Sequence, residues 1–256
     1  MKFSIIINTH NQSKFINDCI KSCKNQNFLD YEILIVDTSV RPLNVNQTKN
    51  LKYFHIKEKF KKYPVMNQMY QIEYGLKKSK GDFICLLDGD DKFERSKLKK
   101  MYDTIKNKKN ILIQDVPIIF SKNRRENKKI KKYKNNLFFR KTFIEWPQVF
   151  GTSSISCNRK ILELFFKKGK PFEWKYLAID VKLILFVFFF YKIKSNLNEI
   201  TLKRIHENNL DNNFSNLFSK YFWKRRKMQH DYRYFLTKKN FYNLDYCLTK
   251  FVNFFL

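Results

Sequence analysis

A chain of 256 residues can bury a substantial core, and 43% hydrophobic with 17% aromatic residues excludes a chain that stays disordered. Its 52 Lys and Arg against 23 Asp and Glu leave a formal net charge of +29. That excess favours an anionic partner, whether nucleic acid, a phosphorylated ligand or an acidic membrane surface, unless a bias towards Lys, Asn, Phe and Ile has filled every tolerant position.

The opening stretch, MKFSIIINTHN, has too short an apolar run for a signal peptide and predicts an immediate strand, Phe3 to Asn8. A helical segment from Lys14 to Asn25 and a second strand, Glu32 to Asp37, make a βαβ unit, whose crossover implies parallel neighbours. Leu51 to Ile56 is a candidate third strand. Met66, Met69, Tyr70 and Tyr74 recur at helical spacing and predict a helix over Val65 to Lys78, closed by Lys80 and Gly81. Asp82 to Leu87 then reads as a buried central strand with Asp88 at its carboxyl end, where ligands bind in open α/β sheets.

Ile111 to Phe120 predicts a strand interrupted by Pro117, and the basic run Ser121 to Asn136 a mobile, solvated loop rather than a phosphate-binding arm. Gly151 to Lys160 suggests a strand and turn leading into a helix over Ile161 to Lys167, and KYLAIDVKLILF an amphipathic helix. Leu183 to Tyr191 is strongly apolar but bounded by Lys182 and Lys192, far short of the roughly 20 residues a spanning helix needs. The expected location is therefore the cytoplasm, including the inner face of its membrane. After His206 the chain turns polar, then becomes a basic, aromatic helix over Leu217 to Leu236. That mixture suits an anionic membrane interface, but a packed helix with a basic outer face is the favoured reading, and the two are compatible. The five cysteines form no CxxC pair, which argues against a zinc ribbon or a thioredoxin-like motif and for free thiols in a reducing compartment.

In GDFICLLDGDDKF, three carboxylates, Asp88, Asp90 and Asp91, fall within four positions and repel one another unless a cation or protons neutralise them. A hard divalent ion such as Mn²⁺ or Mg²⁺ takes one or two carboxylates plus the phosphates of a ligand. An ordinary solvated turn is the competing explanation.

The ordered set SIIINTHNQ, EILIVDTS, GLKKSKGDFICLLDGDD, AID (Ala178 to Asp180) and RIHENN (Arg204 to Asn209) resembles the family 2 glycosyltransferases. The resemblance covers about the first 210 residues. It implies the GT-A fold: a Rossmann-like, mostly parallel sheet flanked by helices, here with a C-terminal helical extension. The implied organisation is a domain over 1–210, with a nucleotide-sugar half to 120 and an acceptor and catalytic half from 121, then a basic aromatic extension over 211–256. By the same resemblance Thr9 and Asp37 hold base and ribose, and LDGDD is the DXD motif. Asp88, Asp90 and Arg204 then bind the nucleotide sugar, Asp90, Asp91 and His206 the metal, and Asp180 is the general base. Implied partners are a nucleotide-diphosphate sugar and a glycan or lipid-linked acceptor, the reaction a metal-dependent, inverting transfer in surface-glycan synthesis. Nucleic acid is not the expected partner.

Three positions depart from the family pattern. Ile72 and Glu73 stand where many relatives carry Arg-Asn, leaving Lys57, Lys59, Lys61 or Arg204 to support the diphosphate, and His10 replaces a common tyrosine. The residues alone leave rivals open: Asp180 as a charge favoured at a helix N-terminus, His206 as a surface histidine, and the chain as a nucleic-acid binder or a catalytically degenerate relative.

Overall fold

The structure, a computed structural model, describes residues 2–105, 111–121, 125–127, 146–196, 200–206, 219–240 and 242–256. At the centre of the main sheet β1 (Phe3–Thr9) runs parallel to β2 (Tyr31–Asp37), which is flanked by β3 (Leu51–His55), and on its other side to β4 (Phe83–Asp88). Further along come β5 (Lys92–Phe93), β6 (Ile111–Asp115), β7 (Ile118–Phe120), β8 (Arg125–Asn127), β9 (Ile155–Asn158), β10 (Lys192–Asn196) and β11 (Thr201–Arg204). The main sheet has the order β10-β6-β9-β4-β1-β2-β3, with β9 antiparallel between β4 and β6; a smaller sheet has the order β5-β11-β7-β8.

Helices cover both faces of the main sheet, so β1 is buried along its whole length and its middle, Ile5 to Ile7, is apolar on both faces. Period-2 alternation divides its side chains. Phe3, Ile5 and Ile7 pack with α1 (Ile16–Lys24) and α3 (Lys97–Ile105), while Ile6 packs with α2 (Pro64–Lys78), α4 (Arg159–Lys168) and α5 (Ile179–Phe190). Gly75 lets α2 lie close on the sheet, since a Cβ there would stand 2.6 Å from Ile6 Cγ2. Two further helices, α6 (Lys220–Thr237) and α7 (Leu244–Phe254), pack together, and α6 turns Met228, Tyr232, Phe235 and Leu236 onto Leu177, Val181 and Leu185 in and before α5.

The first four strands and two helices fall within two residues of expectation. Pro117 does interrupt the strand after residue 111, and the two pieces enter different sheets. Two expectations need correction. The helix carrying Asp180 is not amphipathic: residues 181–187 are all buried, because α2 and α4 cover one side and α6 another. Within the run expected as a mobile loop, Arg125–Asn127 pairs antiparallel with β7, because backbone pairing needs no apolar side chains. The rest of that run beyond Ser121, and the boundary at 210/211, lie outside the described residues. Cys19, Cys23, Cys85 and Cys157 are free and buried, and Cys247 is free and exposed.

Two buried lysines bear on stability. Lys97, at the start of α3, donates from Nζ to Asp115 Oδ1 and, at 3.1 Å, to Thr201 Oγ1. Both members of that ion pair have no solvent exposure, and burial outweighs the pull of Lys97, so the Asp115 carboxyl titrates above its usual range. Lys97→Met should destabilise by about 3–5 kcal/mol in chemical denaturation by stranding Asp115, whereas Lys97→Met combined with Asp115→Leu recovers most of the loss. A single variant as stable as the parent would show that the pair contributes nothing.

Lys182 on α5 has no exposure and donates to the Pro171 carbonyl at 2.8 Å. Burial lowers its pKa from 10.5 to about 7, against an opposing pull from Asp180. Between those values the unfolded chain binds a proton that the folded chain does not, so stability rises with pH across that window. Lys182→Met should melt higher at neutral pH and lose part of that alkaline rise; an unaltered pH slope in thermal melts would refute the account.

Candidate functional site

The parallel register puts three carboxyl ends side by side: Thr9 pairs with Asp37 across β1 and β2, and Asn8 with Asp88 across β1 and β4. Asn8 Nδ2 and Gln68 Nε2 both donate to Asp88 Oδ1, at 2.9 and 2.8 Å. The turn after β4 approaches β1 closely because residue 89 is glycine; a Cβ there would stand 2.6 Å from Thr9 Oγ1 and 2.7 Å from Gln12 Oε1. Asp91 is buried beneath that turn, its carboxylate accepting from Ser153 Oγ at 2.6 Å and from the Arg204 amide at 2.8 Å.

The end of β11 and the residues just beyond it bring Arg204 and His206 to the turn. Arg204 Nε donates to the Asp90 carbonyl at 2.9 Å, and its guanidinium lies between the rings of Phe15 and Phe120, with an ion pair to Asp18 at 3.3 Å. His206 Nε2 lies 2.8 Å from Asp90 Oδ2, its ring stacked on Phe15. The structure thus gathers Thr9, Asp88, Asp90, Asp91, Arg204 and His206 around one turn.

Burial, then the neighbouring Asp90 charge, lifts the Asp88 carboxyl to about 7. Burial and the charges of Asp90 and Asp88 also push Asp91 well above its ordinary range. Negative charge here is therefore under-compensated by the protein itself. Among the described residues no group of three His, Cys, Asp or Glu side chains is placed to hold a metal ion by itself. Crowded carboxylates with one imidazole nevertheless suit a hard divalent ion that completes its shell with ligand phosphates.

Two expected residues stand differently. Asp37 has no solvent exposure: its carboxylate accepts from the Ser39 amide at 2.8 Å, Ser39 Oγ at 2.5 Å and the Tyr53 hydroxyl at 2.8 Å. Burial and the bond to Asp37 raise the Tyr53 phenol to about 12, so it remains a donor. Asp37 thereby orders the loop beyond β2. Asp180 lies in the first turn of α5, half-buried, with Oδ1 accepting from the Val181 amide at 2.7 Å. Ile72 is wholly buried in the core and Glu73 pairs with Lys77, so neither brings positive charge to the turn. His10 bonds the Thr38 carbonyl at 2.9 Å, and Lys57, Lys59 and Lys61 are exposed.

Sequence reasoning missed Ser153, Gln68 and Lys203. Ser153 accepts the Asp88 amide at 3.0 Å while donating to Asp91, and Lys203 lowers the Asp88 pKa against burial. Gln68 acts across 20 positions, Ser153 across 62 and 65, and Lys203 is one lysine among many, so no local spacing marks them.

The profile of glycosyl transferase family 2 matches residues 4–164, and the chain belongs to that family. A GalNAc(5)-diNAcBac-PP-undecaprenol beta-1,3-glucosyltransferase of Campylobacter jejuni is 32% identical over 97 residues, 35% of this chain and 30% of that one. A dolichyl N-acetyl-alpha-D-glucosaminyl phosphate 3-beta-D-2,3-diacetamido-2,3-dideoxy-beta-D-glucuronosyltransferase of Methanococcus voltae is 32% identical over 105 residues, 40% of this chain and 33% of that one. The match thus spans about a third of the length of these curated relatives. Among solved structures, S. aureus TarS 1-349 with UDP superimposes with a TM-score of 0.59 at 16% identity, over 91% of this chain and 65% of that one. The mannosyltransferase PcManGT of Pyrobaculum calidifontis, with GDP-Man and Mn2+, gives 0.58 at 11% identity, over 97% and 68%. The fold is that of the GT-A glycosyltransferases.

Ser153→Ala removes a donor to Asp91 and an acceptor for the Asp88 amide together. It should lower stability by about 1–3 kcal/mol in urea denaturation. A midpoint equal to the parent's would show that the hydroxyl does not brace the turn.

Proposed function

We propose that the chain transfers a glycosyl group from a nucleotide-diphosphate sugar to a hydroxyl of a glycan or lipid-linked acceptor, with inversion, in the synthesis of a surface glycan. The observation that carries this is the acidic turn after β4, at the carboxyl ends of parallel strands, closed by Arg204 at the end of β11 and His206 just beyond it. The similarity to an undecaprenol-linked and a dolichyl-phosphate transferase supports a lipid-linked acceptor. Such an acceptor would bring the reaction to a membrane surface; no described helix is long and apolar enough to cross one.

In this reading Thr9 and the loop ordered by Asp37 take the base and ribose, beside Asp88 and Asp90. Asp90, Asp91 and His206 would hold Mn²⁺ or Mg²⁺, which when bound supplies Lewis-acid charge at the donor's diphosphate. Arg204 and Lys203 add fixed positive charge next to the carboxylates, in place of the Arg-Asn pair that Ile72 and Glu73 displace. Asp180 takes the acceptor's hydroxyl proton. The acceptor oxygen then bonds to the anomeric carbon as its bond to the diphosphate breaks, and the nucleoside diphosphate leaves with the electron pair. Attack opposite the leaving group inverts the configuration.

Thermal shift with UDP-, GDP-, dTDP- and CMP-sugars, each with Mn²⁺, Mg²⁺ or chelator, tests this. One nucleotide class should raise the melting temperature only with metal, and Asp90→Ala should abolish the rise. No shift with any donor, or a full shift in Asp90→Ala, would overturn the reading.

A further inference from the structure

The basic, aromatic stretch that the sequence offers as a membrane-facing tail is mostly committed elsewhere. On α6, Tyr232, Phe235 and Leu236 pack onto α5. Arg226 and His230 hold Asp245 of α7 at 2.9 and 3.0 Å, and Trp223 accepts from Asn253 at 3.0 Å. Those polar contacts set how α7 rolls against α6, burying Thr249. The opposite side of α7 then carries Leu244, Leu248, Phe251 and Phe255 at helical spacing, with Phe254 beside them. Leu248 is 49% exposed, Phe251 64%, Phe254 83% and Phe255 71%. An apolar stripe this open on one helix marks an interaction surface.

Charge decides between occupants. Residues 219–256 hold nine Lys or Arg and two acids. Both acids are neutralised within the hairpin: Asp231 pairs with Lys227, and Asp245 with Arg226 and His230. Lys220, Lys238, Lys239 and Lys250 are exposed. A second copy of a chain with net charge +29 would meet like charge around this stripe. An anionic bilayer instead offers hydrocarbon for the rings and headgroup charge for the lysines.

We infer that the exposed face of α7 docks the protein onto an anionic lipid surface, with Phe251, Phe254 and Phe255 entering the headgroup boundary and the flanking lysines meeting lipid charge. This builds on the membrane-side part of the proposed function, and names the surface that would carry it. The arrangement is that of an interfacial helix lying in the membrane plane, held by two contributions that neither alone would make stable.

Co-sedimentation of the full chain with phosphatidylcholine vesicles, with and without phosphatidylglycerol, tests the inference. The expected result is binding to the phosphatidylglycerol vesicles that weakens as salt rises. The surface variant Leu248→Ser, Phe251→Ser, Phe255→Ser should bind them about tenfold more weakly or worse. Its circular dichroism and donor-induced thermal shift should match the parent's, which separates failure of docking from failure of the transferase reading. A parent that ignores anionic vesicles, or a variant that binds them equally well, overturns the inference. So does a parent dimer in light scattering that the variant dissociates, which would make a second copy the occupant.

Discussion

A lysine and an aspartate without solvent exposure join the two sheets of this protein. Lys97 on α3 reaches Asp115 at the end of β6 and Thr201 at the start of β11, so one ammonium links a helix, the main sheet and the small sheet. Thr201 continues the path by donating to the Ser153 carbonyl at 3.3 Å, and Ser153 in turn bonds Asp91 and the Asp88 amide. The stability of a buried pair is a poor reason for its presence, since desolvation offsets most of the attraction. Its geometric effect is clearer. It fixes where β11 begins, and therefore where Arg204 and His206 end.

The acidic turn depends on that placement. Three carboxylates crowd one turn only with a cation or protons to offset their repulsion, and the chain brings Arg204 and His206 to them from more than a hundred residues away rather than from neighbours in sequence. The braces on the acid side are neutral: Asn8, Gln68 and Ser153 donate to Asp88 or Asp91 without cancelling their charge. A site built this way is ordered in shape but short of positive charge, which leaves electrostatic room for an incoming cation.

What the sequence disclosed follows the same division. Local patterns sufficed for the βαβ start, the helix from 64 and the strand ending at Asp88, because period-2 and helical spacing are written in consecutive residues. The aspartates, Arg204 and His206 were legible through motif order, and the structure gathers them. Ser153, Gln68 and Lys203 were not, since a serine in GTSSIS has no mark distinguishing it from its neighbours. The amphipathic expectation for the Asp180 helix failed because Lys182 looked like a solvent-facing residue, whereas it is buried and bonded to the Pro171 carbonyl. Asp37 has motif support, and its carboxylate also accepts from Ser39 and Tyr53, the latter a contact that depends on β3 lying beside β2.

The antiparallel insertion of β9 between β4 and β6 has a consequence for synthesis on the ribosome. Until residues 155–158 emerge, β4 has an open edge on the side away from β1, and β6 has no place in the sheet. A nascent chain would therefore expose an unpaired, strongly apolar strand for much of its elongation, the kind of edge that recruits other chains. The short segment that completes the sheet also ends the chain's most vulnerable period, so a truncation just before it should be far harder to keep in solution than one just after α4.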